Sequence, residues 1–188
     1  MKKPPSENNK LTGYAAFLRG INVGGNNLIK MEDLKKLFES LGFKNVKTLL
    51  ASGNVKFEAE KEKPSVLAGI IEEKLEKTYG GNISVTIRSI DDIKKIVDAE
   101  PFKKITVTPQ TRLYVTFLPE KAKSSLKIPY SSQDNNFNIM QTTGNELFSV
   151  LTLSQDTNTI NLMNILDKEF GKKVTTRNWN TIEKLLKK

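Results

Sequence analysis

Three short segments concentrate the residues able to bind or move charge: Arg19-Gly20-Ile21-Asn22-Val23-Gly24-Gly25-Asn26-Asn27, Ser52-Gly53-Asn54 and Thr175-Thr176-Arg177-Asn178-Trp179-Asn180-Thr181. The first is a Gly/Asn loop between a strand pattern and a helix pattern, a place where backbone amides hold anions. Gly20 and Gly25 have the outer spacing of a P-loop, but Asn26 and Asn27 stand where that motif needs Lys and a hydroxyl. The dinucleotide fingerprint fails as well, because Asn22 takes the place of its second glycine. The same residues also read as a self-contained loop, its glycines making turns and its asparagines bonding its own backbone. In the last segment, Thr176 or Asn178 can cap the closing helix, and Arg177 offers a fixed bidentate donor beside it. Trp179, the sole tryptophan, reads as the first core anchor of that helix.

The chemistry open to the chain is bounded by what it lacks. With no cysteine and no histidine, thiolate nucleophiles, disulfides, imidazole bases and imidazole metal ligands are excluded. The carboxylate pairs Glu32-Asp33 and Asp91-Asp92 sit at helix starts, where the helix dipole already favours them. No acid/base couple stands out, so an enzyme with carboxylate or hard-metal chemistry is the third reading of function. The formal net charge of +9 admits an anionic partner. Its lysines come in scattered pairs, such as Lys35-Lys36 and Lys172-Lys173, mixed with acids on helical patterns, as on solvated helix faces.

The elements that must position these residues follow from periodicity. Tyr14 to Leu18 reads as a buried strand, Met31 to Leu41 as a helix stopped by Gly42, and Val46 to Leu50 with Val55 to Phe57 as a hairpin. Pro64 opens a helix carrying Val66, Leu67, Ile70, Ile71 and Leu75 on one stripe, and Ile83, Val85 and Ile87 alternate as a fourth strand. Ser89-Ile90-Asp91-Asp92 is a capping pattern for a further helix. The order then restarts: a strand at Leu113 to Leu118, a short helix over Pro119 to Leu126, and a hairpin of Phe137 to Thr142 with Glu146 to Leu151. A helix through Leu162, Leu166 and Phe170 follows, then a short strand at Lys173 to Thr176 and a last helix from Trp179. Thr143-Gly144-Asn145-Glu146-Leu147-Phe148 parallels Ser52-Gly53-Asn54-Val55-Lys56-Phe57, 91 residues apart.

The fold class expected is therefore α/β (α+β): two ferredoxin-like βαββαβ repeats plus a C-terminal helix. The expected boundaries are a disordered tail over 1–12, a first half over 13–98, a connection over 99–111, a second half over 112–177 and a closing helix over 178–188. No apolar run reaches the roughly 18 residues of a membrane span, and the polar N-terminus lacks a signal-peptide core, so the expectation is a cytoplasmic protein with no membrane partner.

Phe17-Leu18-Arg19-Gly20-Ile21-Asn22-Val23-Gly24-Gly25, Ala51-Ser52-Gly53-Asn54-Val55, Glu100-Pro101-Phe102 and Thr176-Arg177-Asn178-Trp179-Asn180-Thr181 occur in the order found in domain-of-unknown-function family 1697, which the chain resembles over residues 13–187. Glu100 stands where that family more often carries Asn. The resemblance implies two ferredoxin-like repeats in a cytosolic bacterial- or archaeal-type protein, and it implies no activity.

The leading functional expectation is a binding module for a small anionic or phosphorylated ligand, using Arg19, Gly20, Asn22, Gly24, Gly25, Ser52, Asn54, Arg177 and Asn178. The exit of the first strand and the turn of the first hairpin are expected at opposite ends of the unit, against one site joining Arg19 to Ser52. The alternative is a nucleic-acid-binding protein using a basic sheet face, with Tyr14, Phe17 and Phe57 as base-stacking aromatics. Nothing in the sequence names a cofactor or an oligomeric state.

Overall fold

The computed structural model describes residues 11–25, 27–119, 126–155 and 159–187. The chain divides into two units, Met1–Asp92 and Ile93–Lys188. The expected tail falls almost wholly outside the described residues, as does most of the expected helix at Pro119 to Leu126.

In the first unit the order is β1 (Thr12–Leu18), α1 (Met31–Ser40), β2 (Lys44–Leu49), β3 (Asn54–Ala59), α2 (Pro64–Tyr79) and β4 (Val85–Ser89), followed by α3 (Ile90–Asp98), which crosses into the second unit. The sheet runs β2-β3-β1-β4, every neighbour antiparallel. Tyr14, Ala16 and Leu18 of β1 join Val55 and Phe57 of β3 and Phe38 of α1 in one core cluster. This is the period-two pattern of a strand meeting the 3.6-residue pattern of a helix. Pro64 opens α2 at a position where its missing amide costs nothing. One expectation needs correcting here. On α2, Leu67, Ile71 and Leu75 are buried, but Val66 and Ile70 are more than 40% exposed, so the apolar residues form two faces rather than one stripe. At 100° per residue, 67, 71 and 75 align, whereas 66 and 70 lie a full residue step round the helix.

The second unit holds β5 (Thr111–Phe117), β6 (Tyr130–Ser131), β7 (Phe137–Thr142), β8 (Glu146–Thr152), α4 (Thr159–Phe170), β9 (Thr175–Asn178) and α5 (Trp179–Leu186). Its sheet runs β6-β7-β8-β5-β9, again antiparallel throughout. Without the two-residue edge strand β6, which periodicity does not reveal, this is the strand order of the first sheet. The α/β (α+β) class read from the sequence is thus what the structure has: two antiparallel sheets with five helices among the described residues. None of those helices is long and apolar enough to cross a membrane.

Strand pairing shows which residues of the two units correspond. Tyr14, Phe17 and Leu18 answer to Tyr114, Phe117 and Leu118. The Leu18 amide donates to the Gly53 carbonyl, and the Leu118 amide to the Asn145 carbonyl, each at 2.8 Å. Phe17 pairs with Asn54, and Phe117 with Glu146. Gly53 therefore corresponds to Asn145 and not to Gly144, one residue off the match of letters in the two hairpins. A one-residue offset reverses the face of every side chain in a strand. Phe57 accordingly joins the core with Tyr14, whereas Phe148 lies on the other face of its sheet, against Phe102 and Trp179. On the far side of each sheet Arg88 answers to Arg177, opposite Ala15 and Val115. Ser89, which caps α3, answers to Asn178, which caps α5. The closing helix α5 thus follows β9 as α3 follows β4.

Candidate functional site

The loop that follows β1 folds onto the turn between β2 and β3. Because β1 pairs antiparallel with β3, the exit of β1 lies beside the start of β3. Arg19 and the Ser52-Gly53-Asn54 turn are therefore at the same end of the unit, which corrects the expectation of opposite ends. Asn22 is the fastening. Its Oδ1 accepts from the Ile29 amide at 2.8 Å, and its Nδ2 donates to the Ile29 carbonyl at 2.9 Å and the Ala51 carbonyl at 2.8 Å. Asn54 is fully buried and donates from Nδ2 to the Leu49 carbonyl and to Ser52 Oγ. Gly53 has φ +74°, and a Cβ there would lie 2.7 Å from Ile21 Cδ1, so the turn accepts only glycine under the buried Ile21.

Of the nine sequence candidates, Asn22, Ser52 and Asn54 thus spend side-chain groups on the backbone and on each other. Gly20, Gly24 and Gly25 hold left-handed φ values of +66°, +60° and +79° at the exposed tip. Arg19 is half-buried at its base, its amide donating to the Ser84 carbonyl. Arg177 and Asn178 belong to the second unit. Burial pushes the Arg177 guanidinium down to about 10, and its Nη1 donates to the Thr176 carbonyl. Trp179 is buried edge-on against Phe102, with ring centroids 5.2 Å apart, as a core anchor should be. The aromatics offered for base stacking, Tyr14, Phe17 and Phe57, are all buried, so their faces are closed to a nucleobase. Among the described residues no group of three or more carboxylates could hold a metal ion.

The second unit contains a further candidate site, of which sequence reasoning named only Asn178. Thr108-Pro109-Gln110-Thr111 forms a turn closed by the Thr111 amide on the Thr108 carbonyl, with Pro109 in the position its fixed φ suits. Thr111 Oγ1 accepts from the Thr108 amide at 2.9 Å. Arg112, the next residue, donates from Nη1 to the Pro109 carbonyl at 2.8 Å and to the Thr111 carbonyl at 2.9 Å. One nitrogen of the guanidinium is thereby tied to the turn. Its Nη2 and Nε make no hydrogen bond among the described residues. Arg112 lines a depression of about 210 Å³ with Val107, Thr111, Leu113, Asn178 and Asn180. The Asn178 Oδ1 accepts from the Asn180 amide at 3.1 Å, which leaves Nδ2 as the unused end of that side chain. Among the described residues no carboxylate lines the depression. A larger one, of about 360 Å³, is lined by Lys103 and Lys104 but also by Glu100, which is paired with Lys103 at 2.8 Å.

A signal for Arg112 does exist in the sequence. Only four of the 30 basic residues are arginines: Arg19, Arg88, Arg112 and Arg177. Each stands at or near a strand end. Three of them, Arg88, Arg112 and Arg177, donate Nη1 to the carbonyl of the preceding residue at 2.9 Å. A guanidinium supplies a rigid planar fork that the ammonium of lysine does not.

A solved structure described as the conserved bacterial protein SP0830 from Streptococcus pneumoniae is similar to this chain, with 22% identity over 94% of this chain and 97% of that one and a TM-score of 0.62. At that identity the likeness is one of fold. No curated protein matches the chain. The model of the family "Protein of unknown function (DUF1697)" matches residues 11–148, well over half of the sequence. The chain therefore belongs to that family.

Proposed function

We propose that the chain is a binding module for a small anionic ligand, held in the depression between Arg112, Asn178 and Asn180. The observation that supports this reading is a guanidinium anchored at one nitrogen, with its remaining donors unused among the described residues, in a lining whose described residues carry no negative charge. An anchored cation gives up little further freedom when it binds, so more of the interaction appears as affinity. The loop of the first unit supports a ligand less well, because Asn22, Ser52 and Asn54 hold its own fold. Formal charge alone favours any polyanion equally and so does not choose a nucleic acid.

The test is thermal unfolding against acetate, sulfate, inorganic phosphate, sugar phosphates, nucleotides and short oligonucleotides, at low and moderate salt. A ligand at about 100 times its dissociation constant adds about 2.7 kcal/mol. That corresponds to a shift on the order of 5–10 °C for a chain of this length. The expected result is a shift with a small anion that Arg112→Gln removes. No shift with any small anion overturns the proposal. A shift confined to oligonucleotides that vanishes as salt rises replaces it with the nucleic-acid reading.

A further inference from the structure

Resting on that reading, we infer that the depression takes the phosphate of a small phosphomonoester, one per chain, and is unsuited to nucleotides. Three separate groups offer unused donors to it among the described residues: the Nη2 and Nε of Arg112, the Nδ2 of Asn178 and the side-chain amide of Asn180. A carboxylate has two oxygens in one plane and is satisfied by the guanidinium fork alone. A phosphomonoester presents three terminal oxygens in a tetrahedron, so it can engage the fork and the amides together. The lining also has an aliphatic part, Val107, which is 62% exposed, and Leu113, which suits a short carbon chain attached to the phosphate.

Size and shape argue against a nucleotide. Sites for drug-sized ligands occupy about 300–1,000 Å³, and this one has about 210 Å³. A nucleobase also needs a flat aromatic partner. Among the described residues no aromatic side chain lines the depression, and Trp179, between Asn178 and Asn180 in sequence, is turned into the core.

The single copy follows from the correspondence between the units. Where the second unit has Arg112, Asn178 and Asn180, the first has Thr12, Ser89 and Asp91. The cation is missing there, one amide is replaced by a carboxylate, and Ser89 is committed to the Asp92 amide and carboxylate. The fold therefore does not make the site by itself; the residues of the second unit do.

The experiment is a titration of the ¹⁵N-labelled full chain with glycerol 3-phosphate, inorganic phosphate, acetate and adenosine monophosphate at fixed ionic strength. It is followed at the Arg112 Nε–H and the Asn178 and Asn180 side-chain amides. Glycerol 3-phosphate is expected to saturate these signals at one equivalent, at least tenfold more tightly than acetate, with adenosine monophosphate no tighter than glycerol 3-phosphate. Asn180→Asp, an exposed change that leaves the Arg112 anchors untouched, is expected to weaken it at least tenfold. Arg112→Lys, which keeps the charge and loses the fork, is expected to erase the preference over acetate. Tighter binding of the nucleotide, two equivalents per chain, or saturable shifts elsewhere that Asn180→Asp leaves unchanged would each overturn this inference while leaving anion binding intact. No saturable shift with any of the four would overturn both.

Discussion

Single side chains in the first unit decide whether the loop and the hairpin hold together. Gly53 and Gly24 both have positive φ, and they separate two costs of adding a methyl group. At Gly24 nothing lies within 4 Å of the added carbon, so Gly24→Ala should cost only the left-handed backbone, about 1–2 kcal/mol. At Gly53 the new carbon would stand 2.7–2.9 Å from Ile21 and Leu18, adding about 1–3 kcal/mol of overpacking. Urea unfolding of the two variants should rank them in that order, and equal midpoints would mean that Ile21 yields. Asn22→Asp keeps the acceptor for Ile29 and removes both donated bonds, a loss of about 1–3 kcal/mol by the same measurement. These roles were half legible in the sequence. Asparagine among glycines announces a turn, but a bond from Asn22 to a carbonyl 29 residues away becomes visible only once β1 is known to pair with β3.

Among the elements, the strands and helices were the easiest to read and their faces the hardest. The β1 stretch Tyr14 to Leu18 is apolar throughout and buried on both sides, so any register would have named it a strand. On α2 the alternatives 66/70 and 67/71/75 are both apolar, and only the sheet beneath selects between them. The prediction is accordingly lopsided: Leu67→Ala should cost about 2–5 kcal/mol, and Ile70→Lys less than about 0.5 kcal/mol, in matched denaturation curves. The end of α3 carries a second prediction. Glu100 has φ +44° and donates its amide to the Val97 carbonyl, the position after a helix that Gly or Asn usually fills. A side chain larger than glycine carries backbone strain there. Glu100→Asn should raise stability by on the order of 1 kcal/mol, read as a higher midpoint; a lower one would show that the pair with Lys103 outweighs the strain.

For the molecule as a whole, charge and site are separate matters. A formal charge of +9 should retain the protein on a polyanionic column, with retention falling steeply as salt is raised. Arg112→Gln should shift that elution no more than Lys104→Gln, although of the two it alone should abolish the proposed small-anion binding. A larger shift from Arg112 would mean that polyanion and small anion share the depression. Net charge was readable from composition, and the scarcity of arginine narrows the cations to four, but Arg112 stands out among those four only through the turn that ties it.

The one-residue offset between the two hairpins also bears on how such a chain came about. If one ancestral unit was doubled, Tyr14-x-x-Phe17-Leu18 with Tyr114-x-x-Phe117-Leu118, and Arg88 with Arg177, still mark positions of common descent. The Gly-Asn letters of the two turns do not. On that premise Gly53 would descend beside Asn145, and each turn would have arrived at glycine and asparagine separately, because a tight reversal selects them. A genealogy of the halves aligned on those letters would pair inward residues with outward ones along the whole strand, and would reconstruct an ancestor whose β3 had no inside.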